Sequence, residues 1–318
     1  MVSPTQTKAI IVIVMVAVLG VSTTFAIVEF SRQSGRLILA TTTSTYDSGL
    51  LDEIIPAFEQ RWGAQVDIVS VGTGQALAMG RSGDCDVLMV HSRSREDAFV
   101  NEGCGIHRVT VWWNDFVIVG PPADPANING LENATEAFIR IYNGGEAGNS
   151  TFYSRGDESG TESKEVAIWQ TTGLGRPENN TQLWYKKTGQ GMGSTLIIAN
   201  EKDGYTLSDR GTWLSRMDEL TFLTLQAEND TILLNPYGVI LVDPGRFPNV
   251  NLNLAVKFVA YLCSPETQAA VDAFRKNNQP MFHSCYGTGN ETSLLFDTNE
   301  QVQEQVNYWD PLIQLYYP

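Results

Sequence analysis

The sequence predicts an α/β protein built on a doubly wound, largely parallel sheet, and three observations predict it. Short apolar runs of strand length alternate with amphipathic stretches of helix length. Ser/Thr/Gly clusters fall where a strand ends and a helix begins. No heptad and no internal repeat persists, while 42% of the 318 residues are hydrophobic, enough to fill a core. A chain of this length exceeds what a single core holds, so two α/β lobes are the natural division.

The elements follow in order. Arg36 to Thr41 reads as a buried strand, and Leu50, Leu51, Ile54, Ile55, Phe58 and Trp62 recur at three and four residues on one helical face. Strands at Val66 to Val71 and Asp86 to Val90 enclose a short helix at Gly74 to Arg81. Phe116 to Gly120 is a strand closed by Pro121-Pro122; a helix near Leu131 to Ile141 and a strand at Thr151 to Ser154 come next. Helices are expected at Glu162 to Thr171, Gly193 to Asn200 and Asp209 to Arg216, a strand at Tyr237 to Val242, and helices at Leu252 to Cys263, Pro265 to Phe274 and Asn299 to Asn307. Gly144 to Ser150 and Gly173 to Thr181 read as loops. Strand-helix-strand alternation implies right-handed parallel crossovers.

Charge excludes one class of partner. Lys+Arg of 21 against Asp+Glu of 36 gives −15, the wrong sign for following a phosphate backbone, so no nucleic acid is expected. An anion site on such a chain must work through short-range donors. Ala9 to Val28 is uncharged, follows Lys8 and is long enough to span a bilayer as a helix. The expectation is an extracytoplasmic protein held at the cell surface by a retained anchor, or secreted or periplasmic if the segment is cleaved. N-x-[ST] sequons at Asn133, Asn149, Asn179, Asn229 and Asn290 agree with export. Cys85, Cys104, Cys263 and Cys285 form two sequence-local pairs; the expected disulfides are Cys85 with Cys104 and Cys263 with Cys285, one of three connectivities. No C-x-x-C occurs and His91, His107 and His283 lack ligand spacing, so no metal site is expected.

Three clusters carry the candidate chemistry: Thr41-Thr-Thr-Ser-Thr45, Gly72-Thr-Gly-Gln75 and Ser154-Arg-Gly-Asp-Glu-Ser-Gly-Thr161. A helix N-terminus offers unpaired N–H groups and a positive dipole end, and hydroxyls add rotatable donors, which together suit an oxyanion. At the carboxyl ends of parallel strands all three could converge on one cleft. Helix capping is the plain alternative for each cluster taken singly. Arg155 is the fixed cation among them, with a structural pair to Asp157 or Glu158 as its alternative role. Asp47, Asp115 and Asp157 would repel a dianion if they pointed inward, and capping or outward-facing bonds are the expected roles. Gly72-x-Gly74 imitates a dinucleotide fingerprint, but Leu77 stands at the third glycine position. No G-x-S-x-G and no H-E-x-x-H occurs, which leaves a Ser-dependent extracellular hydrolase as the less favoured class.

Six segments in order resemble the TupA family of tungstate-binding proteins of ABC importers: Leu39 to Leu51 (LATTTSTYDSGLL), Val71 to Leu77 (VGTGQAL), Asn114 to Pro121 (NDFVIVGP), Ser154 to Thr161 (SRGDESGT), Gly189 to Leu214, and Asn235 to Ile240 (NPYGVI). The resemblance runs from about Leu37 to Leu315. It implies a two-lobed periplasmic-binding-protein fold of the second type, with mixed or parallel sheets and helices on both faces. The implied division is a segment 1–35, one lobe of 36–115 plus 239–318, and a second of 116–238. The implied oxyanion donors are Thr43, Ser44, Thr73, Arg155, Ser159, Gly160 and Thr161, with Thr42 a weaker one. The implied partners are an ABC permease and its ATPase, with no cofactor, no enzymatic step and a monomeric state. Tungstate and molybdate are fully deprotonated dianions that need donors only, whereas phosphate retaining a proton also wants an acceptor; molybdate, sulfate and phosphate remain alternative ligands.

Overall fold

The computed structural model describes residues 35–178, 181–294 and 296–318. The expected anchor at Ala9 to Val28 and the sequon at Asn179 lie outside the described residues. Among the described residues no helix is long and apolar enough to cross a membrane.

The chain opens with β1 (Arg36–Thr42), α1 (Thr43–Asp47), α2 (Leu50–Trp62), β2 (Gln65–Val71), α3 (Thr73–Ser82), β3 (Val87–Val90), α4 (Arg93–Asn101) and β4 (Gly105–Gly120). It continues through α5 (Ala134–Glu146), β5 (Phe152–Ser154), α6 (Gly160–Thr171), β6 (Tyr185–Lys187), α7 (Met192–Glu201), β7 (Thr206–Asp209), α8 (Arg210–Arg216) and β8 (Thr224–Ala227). It returns along β9 (Leu234–Val242) to α9 (Leu252–Cys263), α10 (Pro265–Ala273), β10 (Arg275–Lys276), β11 (Gln279–Pro280), β12 (His283–Ser284), α11 (Asn290–Ser293) and α12 (Asn299–Tyr316).

The main sheet has the order β12-β4-β9-β3-β1-β2, with β7 and β8 also on β4. β1 runs parallel to β2 and β3, as the alternation predicts. The centre differs: β9 is antiparallel to both β3 and β4, and β7, β8 and β12 are antiparallel to β4. The sheet is therefore mixed, because the chain leaves along β4 and comes back along β9 instead of closing each crossover with a helix. β4 is 16 residues long, against a usual strand of about 5–6. Its first part, Gly105 to Asp115, pairs with β9; from Phe116 to Gly120 it pairs with β7 and β8.

Strand alternation distributes the core. Leu37, Leu39, Val87 and Met89 point into one apolar cluster with Phe58, Phe258 and Trp309, while Ala40, Leu88 and Val90 point to the other face, against Phe99 and Ile240. At the far end of β4 the same period sends Phe116 and Ile118 into a separate cluster with Phe138, Phe152, Trp169 and Tyr185, and Val117 and Val119 into the first.

Other expectations shift for local reasons. α5 runs through Gly144 and Gly145, which the composition marks as loop. A Cβ at Gly145 would lie 2.2 Å from the Trp184 ring, so this glycine serves close packing and not a turn. α4 was not expected, because its run is polar with only Glu96 and Phe99 buried. α12 continues beyond Asn307 to Tyr316.

Neither expected disulfide exists: all four cysteines are free and buried. Val242 N donates to Asp86 O and Asp243 N to Cys104 O, so Cys85 and Cys104 flank the end of β9 from opposite sides. Two strand spacings, ~10 Å, exceed the reach of a disulfide. The Gln268 amide links the backbones beside Cys263 and Cys285, accepting from Cys285 N at 3.0 Å and donating to Leu262 O at 2.7 Å. Burial pushes the Cys85 thiol up to about 12 and raises Cys263 and Cys285 as well, so they stay protonated.

Candidate functional site

Three strands of the main sheet run parallel, and one strand of a separate two-stranded sheet joins them in leading to the clusters. β1 ends at Thr42, β2 at Val71 and β3 at Val90, and β5, which is parallel to β6, ends at Ser154. The segments that follow carry the three clusters. All three, together with Gly191, enclose a cavity of about 340 Å³ lined by Thr43, Gly72, Gly74, Gln75, Arg155, Asp157, Glu158 and Gly191. The TTTS turn thus meets the VGTG and SRGD turns, as ligand-binding crevices of open α/β sheets do.

α3 and α7 begin at Gly72 and Gly191, and at neither does a side chain cap the helix. Their first N–H groups are left for another acceptor, and the absence of a Cβ lets that acceptor come close. Thr73 is 0% exposed and its hydroxyl has no hydrogen-bond partner among the described residues. An orphaned buried hydroxyl costs stability unless a ligand completes it. Arg155 is 4% exposed; its Nε and Nη2 donate to Oδ2 of Asp157 at 3.1 and 2.5 Å, and its Nη1 lies 3.4 Å from Thr161 Oγ1. Asp157 Oδ1 in turn accepts from Ser159 N at 3.3 Å. The Asp157 carboxylate is thereby occupied by its neighbours, while Glu158 brings a second carboxylate to the lining.

The eight expected donors divide. Thr43 and Arg155 line the cavity, and Thr73 sits between two lining glycines. Thr42 caps α1: its hydroxyl meets Thr45 N at 3.3 Å and Thr45 Oγ1 at 2.6 Å. Ser44 lies beside it, Oγ to Oγ1 3.3 Å. Ser159 caps α6 by accepting from Glu162 N at 3.2 Å, and Gly160 and Thr161 form that helix's first turn. The acidic residues fall as expected in part. Asp47 is exposed, and Asp115 pairs with Arg210 through two bonds of 2.6 Å, while Asp157 does face the cavity but through the pair with Arg155.

The PBP superfamily domain matches residues 22–266. The tungstate-binding protein TupA of Peptoclostridium acidaminophilum is 41% identical over 257 residues, 80% of this chain and 87% of its own. The chain belongs to the TupA family. A Haloferax volcanii protein, provisionally named an ABC transporter anion-binding protein, is 46% identical over 251 residues, 77% of this chain and 71% of its own. The solved structure of the tungstate-binding protein TupA from Desulfovibrio alaskensis G20 superposes with a TM-score of 0.68 at 41% identity, covering 79% of this chain and 99% of that one. This TupA-family chain accordingly has the two-lobed periplasmic-binding-protein fold.

Four residues at or beside the cavity are not among the expected donors. Gly191 stands in a Gly-Gln-Gly-Met-Gly run ahead of an apolar helix, the signal of an uncapped N-terminus. Gln75 follows the VGTG turn directly, and Glu158 lies within the SRGDESGT run. The fourth is His91, the first residue after β3. Its Nε2 is 3.2 Å from Thr42 Oγ1 and 3.4 Å from Ser44 Oγ, and its Nδ1 is 2.9 Å from Asn235 Oδ1. Burial holds its pKa down at about 4, so the ring is neutral near neutral pH.

Proposed function

We propose that the chain is an extracytoplasmic receptor that captures tungstate and delivers it to an ABC permease driven by its ATPase. Two lobes, 36–115 plus 239–318 and 116–238, would close on the anion, with β4 and β9 as the crossovers. The observation that carries this reading is the unpartnered, fully buried Thr73 hydroxyl beside two uncapped helix N-termini and Arg155. Together they offer donors, as a fully deprotonated tetrahedral dianion requires, and the lining carboxylate of Asp157 is engaged by Arg155. The names of the relatives supply the anion.

The proposed role needs no bond-making step. Ser44, His91 and Asn235 do have the outline of a nucleophile, base and orienting residue. Ser44 Oγ to Nε2 at 3.4 Å is beyond the roughly 2.6–3.2 Å such proton transfer needs, and a base with a pKa of about 4 is a poor acceptor at neutral pH. The test is calorimetric titration with tungstate, molybdate, sulfate and phosphate at one pH and salt. Tight tungstate binding with phosphate silent is expected. Silence with all four anions, or turnover of an ester substrate abolished by Ser44→Ala, would overturn the reading.

A further inference from the structure

His91 stands where three parts of the molecule meet. Its Nε2 faces the hydroxyls of Thr42 and Ser44 in the turn after β1. Its Nδ1 faces Asn235 Oδ1, and Asn235 lies in β9. Asn235 Nδ2 donates to Asn114 Oδ1 at 2.7 Å and to Tyr237 Oη at 3.3 Å, and Asn114 lies in β4. The ring stacks on Tyr237 with centroids 4.9 Å apart. On the other side it abuts the start of α6: a Cβ at Gly160 would lie 2.6 Å from Cε1.

The hydrogen bonds fix the proton. Asn235 spends its N–H groups on Asn114 and Tyr237, so its oxygen faces the ring and Nδ1 carries the hydrogen. Nε2 is then a lone-pair acceptor. With its single hydrogen given to Nε2, Thr42 accepts from Thr45 N and from Thr45 Oγ1 at 2.6 Å, so its hydroxyl is fully committed. Ser44 is left with two long contacts, 3.3 Å to Thr42 and 3.4 Å to His91, and its hydroxyl hydrogen remains available to an incoming acceptor.

We propose that His91 is a positioning residue of the anion site: through Nε2 it orients the Thr42 and Ser44 hydroxyls, and through Asn235 and Asn114 it ties them to both strands, β9 and β4, along which the chain crosses. The inference rests on the anion-receptor reading above. An anion that takes the Ser44 hydrogen changes the acceptor environment of Nε2, and that change is relayed to the two crossing strands through hydrogen bonds already in place. Gly160 lets α6 close onto the same ring.

Three proteins test this by tungstate calorimetry: the wild type, His91→Phe, which keeps the ring and removes both bonds, and His91→Gln, whose amide can reach the position of Nε2. His91→Phe is expected to weaken tungstate binding at least tenfold, and His91→Gln to recover most of the loss. In the wild type, imidazole ¹⁵N spectra should show hydrogen on Nδ1 and an Nε2 resonance that moves on adding tungstate. Wild-type affinity in His91→Phe, no recovery in His91→Gln, or an Nε2 resonance indifferent to tungstate overturns the proposal while the receptor reading stands. A wild type that binds none of the four anions overturns both. Should His91→Phe not fold, His91→Gln and the spectra decide.

Discussion

Asp157 holds Arg155 by a single oxygen: Oδ2 accepts from Nη2 at 2.5 Å and from Nε at 3.1 Å, leaving Nη1 directed to Thr161. The guanidinium is thereby fixed in the cavity wall by a partner that stays partly solvated, 20% against 4% exposed. Such a pair orients a cation without spending all of its five donors. Replacing Arg155 by Ala removes a charge-assisted donor worth ~1.5–3 kcal/mol, so tungstate affinity should fall about ten- to a hundredfold. Titration of a variant whose circular dichroism matches the wild type checks this; unchanged affinity would remove Arg155 from the site.

Thr73→Val separates a hydroxyl that waits for ligand from one that holds the fold. The Thr73 hydroxyl is buried and unpartnered, so the isosteric apolar replacement relieves a desolvation cost of about 1–3 kcal/mol in the free protein. Ligand-free melting temperature should hold or rise, while tungstate binding weakens about tenfold. A lower melting temperature with intact binding is the opposite pattern and would make Thr73 a structural residue.

The thiols give a third expectation. With Cys85, Cys104, Cys263 and Cys285 free and buried, a thiol reagent should find essentially none in the native protein and four after unfolding. A reductant should leave the melting temperature unchanged, whereas a disulfide would contribute about 2–4 kcal/mol and shift it. A reductant-sensitive melt would restore a bridge.

The halves of the site differ in how legible they were. Thr43 and Arg155 could be found because each stands in a compact cluster at a strand end, where local rules apply. His91 could not, since Thr42 is 49 residues away and Asn235 144, and only the order β9-β3-β1 brings them together. Strand alternation reads the sheet as parallel, where the resemblance allows a mixed one, for a related reason. Gly105 to Asp115 contains His107, Arg108 and Asn114, with a register break after Ile106 and a left-handed backbone at His107, so the first two thirds of β4 lack a clean period of two. Without that strand the antiparallel centre is invisible. The cysteine pairing failed because sequence proximity says nothing about β9 lying between Cys85 and Cys104.

Gly160 should tolerate no side chain. Cε1, Nδ1 and Nε2 of His91 lie 2.6, 2.9 and 3.0 Å from the place a Cβ would take. Gly160→Ala must displace the ring or the start of α6, at about 1–3 kcal/mol of stability. If the close fit also serves the anion, tungstate affinity should drop more than His91→Gln alone produces. A variant with wild-type melting and affinity would show that this contact is loose.

His91 makes a final expectation in pH. Burial lowers its pKa from 6.5 to about 4, so between those values the unfolded chain takes up a proton that the folded protein does not. The ring's contribution is therefore constant above pH 6.5 and is lost as pH falls from 6.5 to 4, on the order of 3 kcal/mol in all. Arg155 and Lys164 both push in the same direction, and the bond to Asn235 opposes them. The buried carboxyls Asp86, Glu96, Glu165 and Asp209 are shifted up by desolvation and act in the opposite sense, stabilising the fold as acid is added, so the wild-type curve alone mixes the two. Subtracting the denaturation free energies of His91→Gln at each pH isolates the imidazole. The difference should change steadily between pH 6.5 and 4 and be flat above. A difference flat across the whole range would mean that the ring titrates alike in both states, and that it is not buried among Thr42, Asn235 and Tyr237 as described.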